Sequence, residues 1–216
     1  MKKWIKEIIY LISLKLKKGK IIEYNEKEYS NQIKLWKESG SIIPPPETVK
    51  RSIIIEYQKK YKLDFFIETG TYKGGTVEIL SPMFKKLFTI ELSKLLYLIS
   101  KERLKIIKNI TFLFGNSIVK LPIVFSEVNS PALIWLDGHY SGGITAKGVS
   151  ECPIMGELDA IKRYGKNLNH IILIDDMRCF DGLGDYPSIE RLKEEIAKIN
   201  SRYQITVEDD ILRAVI

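Results

Sequence analysis

Three aspartates close two short apolar runs: Asp137 follows Ala132-Leu133-Ile134-Trp135-Leu136, and Asp175-Asp176 follow His170–Ile174. Both runs read as strands, and in an open parallel sheet the carboxyl ends of neighbouring strands face one crevice. Three carboxylates gathered there repel one another unless protons or a cation compensate. A hard divalent ion with oxygen ligands, Mg²⁺ by preference, is the economical compensation.

A second group of residues suits a nucleotide-like ligand. In Phe65-Phe66-Ile67-Glu68-Thr69-Gly70-Thr71-Tyr72-Lys73-Gly74-Gly75, glycines follow a strand directly and stand at the mouth of a helix. Glycine there lets the backbone turn tightly and approach a ligand with no Cβ in the way. Glu91 ends the next apolar run, about twenty residues beyond Gly70, where a carboxylate can accept hydrogen bonds from ribose hydroxyls. The glycine spacing is not the G-x-G-x-x-G of dinucleotide-binding enzymes, and no G-x-S-x-G of a serine hydrolase follows a strand.

The pattern Glu68-x-Gly70-x-x-x-Gly74, with Glu91 on the following strand, resembles the first motif of the class I S-adenosylmethionine-dependent methyltransferases. The resemblance implies that Glu68 and the Gly70 loop, with Thr71 and Gly74, lie beside the methionine moiety, and that Glu91 holds the ribose. It further implies that Gly115-Asn116-Ser117 borders the adenine, Asn116 standing where the family often has Asp. Asp137 with the Asp175-Asp176 pair is similar to the metal-dependent sugar O-methyltransferases of the macrocin type. That likeness implies Mg²⁺ on Asp137, Asp175 and Asp176, Asp137 also facing cofactor and reaction. The general base falls on His139, where the family is usually acidic. It spans roughly residues 62–216. The implied chemistry is coherent: a metal lowers the pKa of a bound sugar hydroxyl, an imidazole takes its proton near pH 7, and the oxygen attacks the sulfonium methyl in line.

These residues need a scaffold that brings strand ends together. Short, continuously apolar runs at 65–67, 87–90, 110–114, 132–136 and 170–174 alternate with amphipathic stretches, as burial on both sheet faces requires. Two further runs, Tyr203–Glu208 and Ile211–Ile216, are joined by Asp209-Asp210 alone and read as an antiparallel hairpin. The expected fold is therefore α/β: a doubly wound, Rossmann-like sheet of five parallel strands plus a C-terminal antiparallel hairpin. Pro44-Pro45-Pro46 divides an N-terminal helical extension (1–43) from the main domain (44–216), and Pro46 can open a helix to about Lys60 with Val49, Ile53, Ile54 and Tyr57 on one face.

Composition bounds the partners. The chain has 216 residues, 45% of them hydrophobic, with net charge +7 and a pI near 9.2. That raises the prior for an anionic partner, but the lysines are spread along the chain, and neither an Asn/Asp-Pro-Pro-Tyr base-flipping motif nor an aromatic-rich RNA module is present. The expected partner is a small hydroxylated molecule such as a sugar or glycan precursor, with nucleic-acid methylation or a non-catalytic scaffold as alternatives. Two cysteines at non-zinc spacing fit a reduced, cytoplasmic compartment. Residues 3–18 read as a basic amphipathic helix that packs on the domain or on a second subunit, giving a homodimer, or touches a membrane surface. The loop 141–151 reads as a lid over the site. Lys147, Arg178 and Asp181–Asp185 are candidates for acceptor contact, while His170 reads as structural.

Overall fold

The structure is a computed structural model that describes residues 21–138 and 151–216. The basic helix expected at 3–18, His139, Lys147 and nearly all of the loop 141–151 lie outside the described residues.

Five βα steps build the sheet. Strand β1 (Phe65–Thr69) leads to α3 (Gly75–Leu80), β2 (Lys86–Glu91) to α4 (Lys94–Arg103), and β3 (Ile110–Phe114) to α5 (Ser117–Glu127). Strand β4 (Ala132–Leu136) precedes α6 (Ile154–Tyr164), and β5 (Ile171–Ile174) precedes α7 (Ile189–Ile199). The hairpin β6 (Gln204–Glu208) and β7 (Ile211–Val215) completes a seven-stranded sheet of order β3-β2-β1-β4-β5-β7-β6. The first five strands in that order are mutually parallel, and β7 enters antiparallel beside β5. The expected fold class is the observed one. Ahead of it stand α1 (Glu26–Glu38) and α2 (Glu47–Tyr61).

Alternation along the strands explains the two layers. Ile67, Ile90, Ile134, Leu136, Ile172 and Ile174 pack with side chains of α5, α6 and α7 in one core. Their neighbours Phe66, Leu87, Leu133, Trp135 and Leu173 pack with Val49, Ile53 and Ile54 of α2 in the other. Register sets the functional edge: Thr69 pairs with Ile90 and with Leu136, which in turn pairs with Ile174, so the parallel strands finish at one level. Pro122 sits inside α5, which continues past it to Glu127. No described helix is long and apolar enough to cross a membrane.

The helical extension is built into the second core. Trp36 of α1 is buried there beside Val49 and Phe66, and its indole N–H donates to the Ile42 carbonyl at 2.8 Å. Ile22 N donates to Glu78 of α3 at 3.1 Å, a contact across most of the domain's first half in sequence. Trp36→Ala should therefore cost about 3 kcal/mol in chemical denaturation, within one transition shared with the sheet. Two separate transitions would show that the extension folds on its own.

Candidate functional site

The glycine turn is held in place before any ligand arrives. Gly70 has φ +86°, and a Cβ there would lie 2.1 Å from the Asp137 carbonyl oxygen, so only glycine lets β1 turn against the end of β4. The Gly70 and Thr71 amides both donate to the Ile90 carbonyl, at 3.0 and 3.3 Å. Glu91 finishes the job from β2, accepting from Tyr72 N at 2.8 Å and from Ser93 N at 2.7 Å. Opposite, the Arg103 guanidinium donates to the Lys73 carbonyl at 2.7 Å while pairing with buried Glu78 at 2.6 Å. The ribose-binding acid expected at Glu91 is thus in direct contact with the loop it should serve.

Glu68 lies two residues before Gly70, on the α2 side of the sheet, and is almost fully buried. Its Oε2 accepts from Thr89 Oγ1 at 2.6 Å, and Thr89 is in turn bonded to Thr71 Oγ1 at 2.5 Å. Burial raises the carboxyl to about 8, against the Thr89 hydrogen bond and the Arg51 charge, which both pull it down. Arg51 bonds Glu47 through Nη2, at 3.0 Å, while its Nε is buried without a hydrogen-bond partner among the described residues. Thr71 contributes its backbone to the turn, its hydroxyl being committed inward. Gly74 has φ +75° and caps α3. Asn116 caps α5, its Oδ1 accepting from Ile118 N at 2.9 Å, and Ser117 is buried as the first residue of that helix.

The three aspartates do meet. One carboxylate oxygen from each of Asp137, Asp175 and Asp176 lies within 4.8 Å of the others. The cluster already contains a cation that the sequence pattern did not disclose. Lys50, projecting from α2, donates from Nζ to Asp175 Oδ2 at 2.6 Å and to Asp176 Oδ1 at 3.0 Å. Arg178 approaches from the other side, donating to Asp176 Oδ1 at 2.7 Å and bridging to Asp210 of the hairpin. Asp176 adopts a left-handed backbone (φ +57°), and its N–H donates to Asp175 Oδ1 at 2.8 Å.

The charges sort themselves. Burial opposes an ammonium at Lys50, but the Asp175 charge and hydrogen bond, with Asp176 and Asp137 behind them, hold its proton more tightly than usual. Burial lifts Asp175 to about 6, the Asp176 charge adding and Lys50 opposing, so Lys50 and Asp175 form an ion pair at neutral pH. Asp137 is pushed well above the ordinary carboxylate range, first by burial and then by the Asp175 charge. A divalent ion ligated by all three aspartates would lie beside an ammonium already bonded to two of them. The donor set is one that Mg²⁺ uses, yet with Lys50 in it the residues do not suit a second cation.

Lys50, Arg51 and Asp210 were missed by motif reading. The missed signal was positional: Lys50 heads the stripe Lys50, Ile53, Ile54, Tyr57, so a lysine stands on the buried face of its helix. Arg178 is placed in the cluster, whereas Asp181 and Asp185 remain on its outer loop; Asp181 N-caps its own turn, accepting from Leu183 N at 2.9 Å. His170 is structural as expected: its Nδ1 accepts from Ala132 N at 3.0 Å, Nε2 faces the Gly165 carbonyl, and burial lowers its pKa to about 4.

No protein-family model matches the chain, and no curated protein matches it. Solved structures do. An SAH-bound methyltransferase of Podospora anserina is 15% identical with TM-score 0.53, covering 91% of this chain and 98% of its own. An O-methyltransferase of Bacillus cereus in complex with SAH is 12% identical with TM-score 0.55, covering 89% and 92%. The O-methyltransferase TomG of Streptomyces achromogenes, involved in tomaymycin synthesis and in complex with SAM, is 11% identical with TM-score 0.52, covering 89% and 91%. The fold is that of class I methyltransferases.

Glu68 gives a pH signature. Its folded pKa, about 8, exceeds the ordinary 4.5, so the folded state binds the extra proton between those values. It imposes no penalty below about pH 4.5, and the penalty grows to its full size as pH rises through about 8. Glu68→Gln should lie within about 1 kcal/mol of the native chain in denaturant at pH 5 and exceed its stability at pH 9 by on the order of 4–5 kcal/mol. Equal stabilities at both pH values would mean that Glu68 is ionised in the folded chain.

Proposed function

We propose that this chain is an S-adenosylmethionine-dependent methyltransferase acting on a hydroxyl of a small acceptor, a sugar or glycan precursor being the class that the Asp137 and Asp175-Asp176 pattern suggests. The observation that carries the reading is one edge of one sheet: the Gly70 turn, braced by Glu91, shares a wall with Asp137 and opens beside Asp175 and Asp176. The fold shared with SAH- and SAM-bound methyltransferases supports the cofactor.

In this reading Glu91 holds the ribose hydroxyls while keeping its bonds to Tyr72 N and Ser93 N, since a carboxylate has acceptor capacity for both. Glu68 faces the cofactor's amino group, whose positive charge offsets the burial that otherwise keeps Glu68 protonated. Gly74 and Thr71 shape the turn, and Asn116 with Ser117 borders the adenine. The acceptor lies on the Asp137 side. Its hydroxyl gives its proton to His139, the acceptor oxygen bonds to the methyl carbon as the carbon–sulfur bond breaks, and the products are a methyl ether, S-adenosylhomocysteine and one proton. Positioning supplies much of the rate in such a displacement. Asp137, Asp175 and Asp176 are the residues that would hold magnesium, but with Lys50 already answering their charges they do not suit it, and no step is assigned to a metal.

Isothermal calorimetry tests the cofactor directly. S-adenosylhomocysteine should bind saturably, and Glu91→Ala should weaken it about tenfold or more, as loss of charge-assisted hydrogen bonds implies. Undiminished binding in Glu91→Ala, or none in the native chain, would remove the cofactor assignment. Repeating the titration at pH 7 in buffers of different ionisation enthalpy should show ~0.5–1 proton released per ligand, which Glu68→Gln abolishes. Binding without proton release would place the amino group away from Glu68.

A further inference from the structure

The acidic pocket needs positive charge, and the chain supplies it. Asp137, Asp175 and Asp176 converge within 4.8 Å, a geometry that without compensation is strongly unfavourable. Lys50 Nζ stands 2.6 Å from Asp175 Oδ2 and 3.0 Å from Asp176 Oδ1, with its side chain nine-tenths buried. These are the bonds of a charge designed into the pocket rather than of a surface lysine folded over it. Lys50 stands on α2 between Val49 and Ile53, both buried in the core under the sheet, so the helix presents its side chain to the site from a packed face.

We infer that Lys50 is a resident cation of this site, standing where a divalent ion on Asp137, Asp175 and Asp176 would otherwise be held, and that the site therefore works without one. This rests on the methyltransferase reading for its use but not for its geometry. The ammonium carries three protons, of which Asp175 and Asp176 take two. It orients both carboxylates beside the left-handed turn at Asp176. Lys50 is a positioning residue for the aspartates. Arg178 reinforces it on the outer side by bridging Asp176 to Asp210, which ties β5 to the hairpin. A divalent ion held by the same carboxylates would stand next to that ammonium, a repulsion large at any effective dielectric constant of a protein interior.

The test uses Mn²⁺ as a spectroscopic probe on the purified full chain. The paramagnetic resonance signal of free Mn²⁺ should persist as native protein is added. Lys50→Ala, which removes the ammonium from Asp175 and leaves Arg178 on Asp176, should take up one Mn²⁺ per chain at least about tenfold more tightly than the native protein, and Lys50→Arg should not. Asp175→Asn in the Lys50→Ala background should remove that gain. One Mn²⁺ bound per native chain and lost in Asp175→Asn alone would overturn the inference, as would a Lys50→Ala chain that gains no affinity. Should Lys50→Ala fail to fold, the native chain still decides: its melting temperature must be unmoved by EDTA and by excess Mg²⁺, and a shift with either overturns the inference. Failure of the methyltransferase reading shows separately, as absent S-adenosylhomocysteine binding in the native chain.

Discussion

The carboxyl edge of this sheet gathers more negative charge than a protein interior tolerates, and the fold is organised around answering it. Asp137, Asp175, Asp176 and Asp210 all reach that edge, with Lys50 and Arg178 set among them. Breaking a buried ion pair by removing one partner is far more harmful than never having built it, so such a cluster survives only where every member is held. Lys50 comes from a helix that precedes the first strand, Arg178 from the turn after β5, and Asp210 from the final hairpin. Elements far apart in sequence are thereby locked to one electrostatic centre, and both ends of the chain become necessary to the pocket in the middle.

The cofactor side shows a different economy. Backbone geometry and short hydrogen bonds do the positioning, and charge is kept low. Glu68 retains its proton to about pH 8, and Glu91 is satisfied by two amides of the loop and its neighbour. Preorganised amides cost nothing to arrange when a ligand arrives, which is how a cleft keeps its shape while empty. Arg103 adds a mechanical brace by holding the Lys73 carbonyl from α4.

Much of this was legible in the sequence because burial on two faces leaves a plain record. Continuous apolar runs such as Ala132–Leu136 and Ile110–Phe114 have the bounds they were expected to have, and the hairpin around Asp209-Asp210 pairs as two residues of turn require. The glycine turn and the three aspartates were legible because each sits at the end of such a run. Lys50 was not. Its role depends on how α2 lies across the sheet, a tertiary fact to which period and propensity are blind, and in composition it is one basic residue among 34. Asp210 was hidden for a similar reason: in a turn it reads as turn chemistry, and only the pairing of β7 with β5 brings it to Arg178. Helix α5 runs through Pro122 to Glu127, and it packs on α6, where Gly156 admits Ile118.

The contact between Gly70 and the Asp137 carbonyl carries one more consequence. The Asp137 carbonyl packs directly against the turn that ends β1, with no room even for a Cβ between them. The turn and the Asp137 carboxylate are therefore spaced by covalent bond lengths and a strand-to-strand register, quantities that thermal motion hardly alters. Side chains around the rim can drift over evolutionary time, while that spacing stays the same.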